Sequence, residues 1–153
     1  MSQNRKVAII TGSSQGLGAS IAKKLSKKNV NVVINYSSSK ELAEKIRDEC
    51  ISNGVEAIAI KADVSQNEDC IKLVKRAEEV FGKVDILVNN AGTTKFADHS
   101  KLEKLSDEDF INIYKVNVIG PYQMIRAVEP IMKKNGFGAV VNISSIAGKT
   151  GIG

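Results

Sequence analysis

Short β-branched runs alternate along the chain with stretches whose apolar residues recur every three or four positions. "KVAIIT" (6–11), "VNVVIN" (30–35), "VEAIAIKA" (55–62), "VDILVN" (84–89) and "GAVVNIS" (138–144) read as strands. Between them, Leu17, Ile21, Ala22 and Leu25 mark one helix face, Leu42, Ile46 and Cys50 a second, and Ile71, Val74, Ala77 and Phe81 a third. A long helix is expected from about Ser106 to Lys133. Asn53-Gly54 and Gly82 supply helix stops. Ser38, Ser65 and Ser106 each stand three residues before an acid, Glu41, Glu68 and Asp109, which predicts three capping boxes. Continuous apolar runs belong to strands buried on both faces, as in a parallel sheet. Strand–helix alternation with right-handed crossovers then predicts an α/β fold, a doubly wound parallel (Rossmann) sheet; the strand order expected for it is 3-2-1-4-5. No linker or repeat interrupts it, so residues 1–153 read as a single domain.

Composition changes this picture little. At 42% hydrophobic and 25% charged, the chain has enough apolar residues for one core. Its net charge of +5 comes from scattered lysines, with no basic run interleaved with aromatics. That is a solvated surface, and nucleic acid is not an expected partner. Cys50 and Cys70 lie on apolar helix faces without metal-ligand spacing, so they read as small core residues and no metal is expected. His99 reads as a lone surface histidine. The start "MSQNRK" has no signal-peptide pattern and no run reaches membrane length, so a cytoplasmic protein without a membrane partner is expected.

The candidate chemistry starts at "TGSSQGLG" (11–18), between the first strand and first helix. Gly12 permits a tight turn, Gly16 lets backbone approach a pyrophosphate, and Gly18 lets the helix pack closely. The helix N-terminus offers free amides to phosphates, so Ser14, Gln15 and Leu17 join the glycines as candidate cofactor contacts. The spacing is GxxxGxG, and no Lys-Ser/Thr follows as a Walker A loop requires. Three glycines after a strand can also be a plain turn; the flanking strand and helix favour a dinucleotide site. A second turn, "NNAG" (89–92), follows the fourth strand. In order 3-2-1-4-5, strands one and four are neighbours whose connections diverge, so both turns should face the same crevice. Asn90, Ala91 and Gly92 are therefore candidates too.

A helix break is expected further on. In "KVNVIGPYQ" (115–123), Pro121 has no N–H, so the Asn117 carbonyl loses its helical donor. The orphan carbonyl is a place for water, or the break is a plain packing kink.

"TGSSQGLG", "NNAG", the Asn117 helix and "NISS" (142–145) occur here in the order of the short-chain dehydrogenase/reductase family. The resemblance runs along the whole chain, nearest to bacterial 3-oxoacyl-acyl-carrier-protein reductases. It implies transfer of a hydride between a nicotinamide cofactor and a ketone or secondary alcohol, a 3-oxoacyl thioester among the candidates. It implies that Asn117 holds a water in a proton relay and that Asp63 and Val64 contact the adenine edge. It also implies that Ser145, which immediately precedes "IAG", is the catalytic serine, and that the protein is a homotetramer. The alternative is a non-catalytic dinucleotide-binding module that ends at Gly153.

The cofactor follows from the second strand. An NAD site needs an acid about 20 residues past the glycine turn. Here "INYSSSK" (34–40) has none before Glu41, while Ser37, Ser38 and Lys40 at a helix start suit a 2′-phosphate. NADP is expected in preference to NAD, although many NADP-using relatives carry a basic residue where this chain has Gln15.

Carbonyl reduction also needs a proton donor, and the family's is a tyrosine with a lysine four residues later. Tyr36 follows the second strand; Tyr114 and Tyr122 are followed at that spacing by Val118 and Arg126. The chain is therefore expected to be the front portion of a longer enzyme, inactive alone, with its fifth strand at a sheet edge.

Overall fold

The computed structural model describes residues 5–98 and 100–151. His99, expected at the surface, lies outside them. Five parallel strands form one sheet in the order β3-β2-β1-β4-β5. They are β1 (Val7–Ile10), β2 (Asn31–Tyr36), β3 (Ala57–Lys61), β4 (Ile86–Asn89) and β5 (Ala139–Asn142). The helices are α1 (Gly16–Ser26), α2 (Lys40–Ser52), α3 (Asn67–Phe81), α4 (Asp107–Tyr114), α5 (Gly120–Lys134) and the single turn α6 (Ala147–Thr150). Register is tight at the centre, where Ile10 pairs with Ile34 on one side and Val88 on the other.

Alternation along the strands sends side chains to two cores. Ala8, Ile10, Val32 and Ile34 pack under α1 and α2, against Ala22, Ala43, Ile46 and Cys50. Ile9, Val33 and Leu87 pack on the other face, against Leu73, Val74 and Ala77 of α3 and Met124 and Val128 of α5. Each fully buried Ile or Leu contributes about 1.5–3 kcal/mol, so these two layers dominate the stability of the sheet. Both cysteines are buried and free. Burial pushes the Cys70 thiol up to about 11, helped by the charges of Asp69 and Asp63.

Local expectations differ from the structure at several points. Only the Ser106 capping box forms: its hydroxyl accepts from the Asp109 amide and the Asp109 carboxylate accepts from the Ser106 amide. α2 starts after Ser39 and α3 after Gln66, without side-chain caps. Near Ser65, carboxylates meet the loop amides instead: Asp63 Oδ1 accepts from Ser65 N and Asp69 Oδ2 from Asp63 N. Leu17, Leu42 and Ile71 are exposed rather than core, because they face outward while Ala19, Ala43 and Cys70 in the same turns face the sheet. β3 and β5 are not buried on both faces as β2 is, because both are edges. The long helix is helical throughout but changes register: a π-turn over Lys115–Ile119 joins α4 to α5. Pro130, inside α5, went unremarked in the sequence pattern.

Candidate functional site

The glycine turn is held from three sides. Gly12 has φ +61°, and a Cβ there would stand 2.9 Å from the Ala91 Cα. Gly18 would place a Cβ 2.5 Å from Asn90 Nδ2 and 2.6 Å from the Gly12 carbonyl oxygen. Only glycine lets α1 start so close to its own turn. The contact expected with the sheet is thus made with the turn and "NNAG". Gln15 is the extended residue before α1, and Ala19 N–H is the first to find a carbonyl within the helix, that of Gln15. The amides of Gly16, Leu17 and Gly18 have no intrahelical acceptor, which is the general condition of a helix start. Gln15, Gly16 and Leu17 are exposed and Ser14 is half-buried.

The two turns are stapled together. Thr11 Oγ1 accepts from the Asn90 and Ala91 amides, both at 3.0 Å. Asn90 Nδ2 donates to the carbonyls of Thr11 and Gly12 at 3.0 and 3.1 Å. Thr11 is a site residue that the sequence reading passed over; its signal was a hydroxyl immediately before the first glycine.

Asn117 joins the same cluster. Its Oδ1 accepts from Thr93 N and its Nδ2 donates to the Thr93 carbonyl, each at 2.8 Å. The amide thereby pairs with both backbone polar groups of one residue, Thr93, in the loop that begins at "NNAG". Behind it, the Gly120 amide donates to the Lys115 carbonyl, five residues back. The Val116 carbonyl loses that donor and, because of Pro121, the Asn117 carbonyl loses its own. The helix break therefore takes the form of a π-turn. It is pressed against the loop after β3: a Cβ on Gly120 would be 3.0 Å from Val64 Cγ2, and Gln123 Nε2 donates to the Val64 carbonyl at 2.8 Å.

Asp63 is exposed and Val64 buried, directly after β3. Ser37 and Ser38 are exposed at the end of β2, whereas Tyr36 is buried. Lys40 stands four residues after Tyr36, but Tyr36 ends a strand and Lys40 opens α2, so the two share no helix face. Lys40 Nζ lies 3.9 Å from Glu44, an exposed pair of little energetic weight.

Ser145 is exposed, three residues beyond β5, and its Oγ accepts from the Ala147 amide at 3.1 Å. It reaches the cluster through the sheet, not through a direct bond. The Ile143 amide donates to the Asn89 carbonyl at 2.9 Å, and Asn89 Nδ2 to Asn142 Oδ1 at 2.8 Å. Asn89 Oδ1 is buried with no donor. Among the described residues no group of three or more His, Cys, Asp or Glu could hold a metal ion, and no helix is long and apolar enough to cross a membrane.

Free amides at a glycine-lined helix start, at the carboxyl ends of adjacent parallel strands whose connections diverge, make a dinucleotide cradle; a Cβ at Gly12 or Gly18 would push apart the two turns that form it. The fold and site thus define a dinucleotide-binding α/β protein. The short chain dehydrogenase family model matches residues 6–153, and the chain belongs to that family. It is 37% identical over 146 residues to the 3-oxoacyl-acyl-carrier-protein reductase of Staphylococcus epidermidis, an alignment that covers 95% of this chain and 59% of the reductase. Among solved structures, an NAD+-bound xylitol dehydrogenase superposes with a TM-score of 0.88 at 31% identity, covering 95% of this chain and 55% of that one. A metagenomic short-chain oxidoreductase in complex with NADP gives 0.86 at 32% identity, with 98% and 66% covered. The chain spans less than two thirds of the length of the Staphylococcus reductase.

Proposed function

We propose that this chain is the cofactor-binding portion of an NADP-dependent reductase of ketones, with 3-oxoacyl thioesters as the substrate class. The observation that carries the cofactor assignment is the end of β2, where exposed Ser37 and Ser38 stand with no carboxylate before Glu41. Hydroxyls accept and donate to a 2′-phosphate, while a carboxylate would repel it. Similarity to the Staphylococcus reductase supports the substrate class.

When bound, NADPH supplies a hydride to the carbonyl carbon. The Gly16, Leu17 and Gly18 amides hold the pyrophosphate, with Ser14 and Gln15 beside them, while Asn90, Ala91 and Gly92 wall the crevice. Asp63 and the Val64 backbone take the adenine edge. Ser145 Oγ donates a hydrogen bond to the substrate oxygen as charge develops there. The Asn117 carbonyl, whose α-helical donor position is taken by Pro121, holds a water for proton supply. The proton itself needs a donor of the Tyr-x-x-x-Lys kind on one helix face, which Tyr36, Tyr114 and Tyr122 do not provide. The 153-residue chain alone should therefore oxidise no NADPH. The exposed apolar face of α4, with a hollow of about 620 Å³ lined by Phe110, Ile111, Tyr114 and Ile119, supports a homo-oligomer, a tetramer in this reading, working in the cytoplasm.

Fluorescence titration tests the assignment. NADPH should bind at least several-fold more tightly than NADH, and Ser37→Asp should reverse the order by repelling the 2′-phosphate. Equal affinities, or no reversal, would sink it.

A further inference from the structure

Asn35 has no part in the chemistry above, yet it carries the densest set of polar contacts near the crevice. It is 2% exposed, at the carboxyl end of β2. Its Oδ1 accepts from the Gly12 amide at 3.0 Å. Its Nδ2 donates to the Ala62 carbonyl at 3.0 Å and to that of Ile60 at 3.4 Å. Its backbone is tied as well: Asn35 N–H donates to Ser13 Oγ at 3.0 Å, and Ser13 N–H to the Asn35 carbonyl at 2.9 Å. One side chain thus grips the glycine turn with its acceptor and the end of β3 with its donor. Ala62 immediately precedes Asp63 and Val64.

The two segments so joined are those that the proposed ligand must span, pyrophosphate on one and adenine on the other. They belong to different crossovers: the β2 backbone meets both, with Ser13 N–H donating to the Asn35 carbonyl and Ala62 N–H to the Tyr36 carbonyl, each at 2.9 Å, and the Asn35 amide adds one side chain bonded to both segments. A primary amide is the side chain that offers both an acceptor and donors at this reach. Aspartate would lack the donors, and leucine would leave the Gly12 amide and the Ala62 carbonyl buried without partners. We infer that Asn35 is a positioning residue for cofactor binding: it holds the glycine turn and the adenine loop at the separation that one dinucleotide bridges. This rests on the NADP reading above.

The separation matters only to a ligand that touches both segments. Adenosine 2′-monophosphate reaches the adenine loop and the 2′-phosphate site but has no pyrophosphate. In Asn35→Leu, NADPH affinity should fall about tenfold or more and that of adenosine 2′-monophosphate less than about twofold, because lost preorganisation penalises only the bridging ligand. Equal loss for both, or loss for neither, would overturn the inference. Partial unfolding would weaken both alike and so counts against it. A measurement on the unaltered chain guards against a variant that does not fold. In amide hydrogen exchange without ligand, the Gly12 amide should be protected well beyond that of exposed Gln15, and equal exchange would overturn the inference outright. Unaltered protein that prefers NADH would overturn the NADP reading alone, and the same comparison then runs with NADH against adenosine.

Discussion

β2 and β5 carry nearly the same apolar run, "VVIN" at 32–35 and "VVNI" at 140–143, yet they live in different surroundings. All six residues of β2 are buried, whereas Val140 and Val141 of β5 are 41% and 47% exposed. β2 has a strand on each side and helices over both faces; β5 pairs with β4 alone. Their asparagines diverge in the same way. Asn35 is buried and paired through both ends of its amide, while Asn142 is exposed and bonded to an Asn89 whose own Oδ1 lacks a donor. The half of the site around the glycine turn is thus buried and bonded on all sides. The half that carries Ser145 rests on an edge. A sheet edge with apolar side chains on both faces invites pairing with another strand.

The largest contrast should come from Ile34→Ala. Ile34 is fully buried in β2, and the truncation should destabilise the fold by about 2–5 kcal/mol in a denaturant titration. A loss below 1 kcal/mol, on the order of a surface change, would mean that the two halves are equally loose. Ser145→Ala should do the reverse. In an enzyme whose chain continues into a Tyr-x-x-x-Lys helix, it should lower kcat by roughly 10²–10³, with little change in NADPH affinity or stability. Damage from Ser144→Ala in its place would shift the serine assignment by one residue. Gly18→Ala sits where the halves meet. With Asn90 and the Gly12 carbonyl in the way, overpacking should cost about 1–3 kcal/mol and weaken NADPH binding together with stability. Unchanged values for both would show that the glycine turn can yield. The smallest effect belongs to Val141→Lys, which should move stability by no more than about 0.5 kcal/mol while reducing light scattering on concentration. A large stability loss there would mean that β5 is better covered than its exposure indicates.

Much of this was legible because the signals were local. Strand runs, the glycine spacing, the Asn53-Gly54 stop and the donor missing at Pro121 depend on a few adjacent residues. Illegible features depended on partners far along the chain. Thr11 and Asn35 look ordinary until Asn90 and Ala62 are brought beside them, 79 and 27 residues away. Ser38 and Ser65 have capping-box spacing yet do not cap, because α2 and α3 each start one residue later, after Ser39 and Gln66. Leu17 fits the helix period but faces outward.

The alternating pattern by itself determined the class of fold, since parallel strands with right-handed crossovers leave few topologies, while the tertiary structure supplied the strand order. The glycine spacing marked where a phosphate cradle is expected, and Pro121 marked the irregular stretch of the long helix. Only the tertiary structure decided that the two turns are bonded into one unit, that the break becomes a π-turn against Val64, and that one "VVIN"-like run is core and the other is edge. The physical reason is range. Backbone periodicity and turn chemistry act over about four residues, a helical turn, whereas burial and polar satisfaction depend on whatever the rest of the chain places opposite.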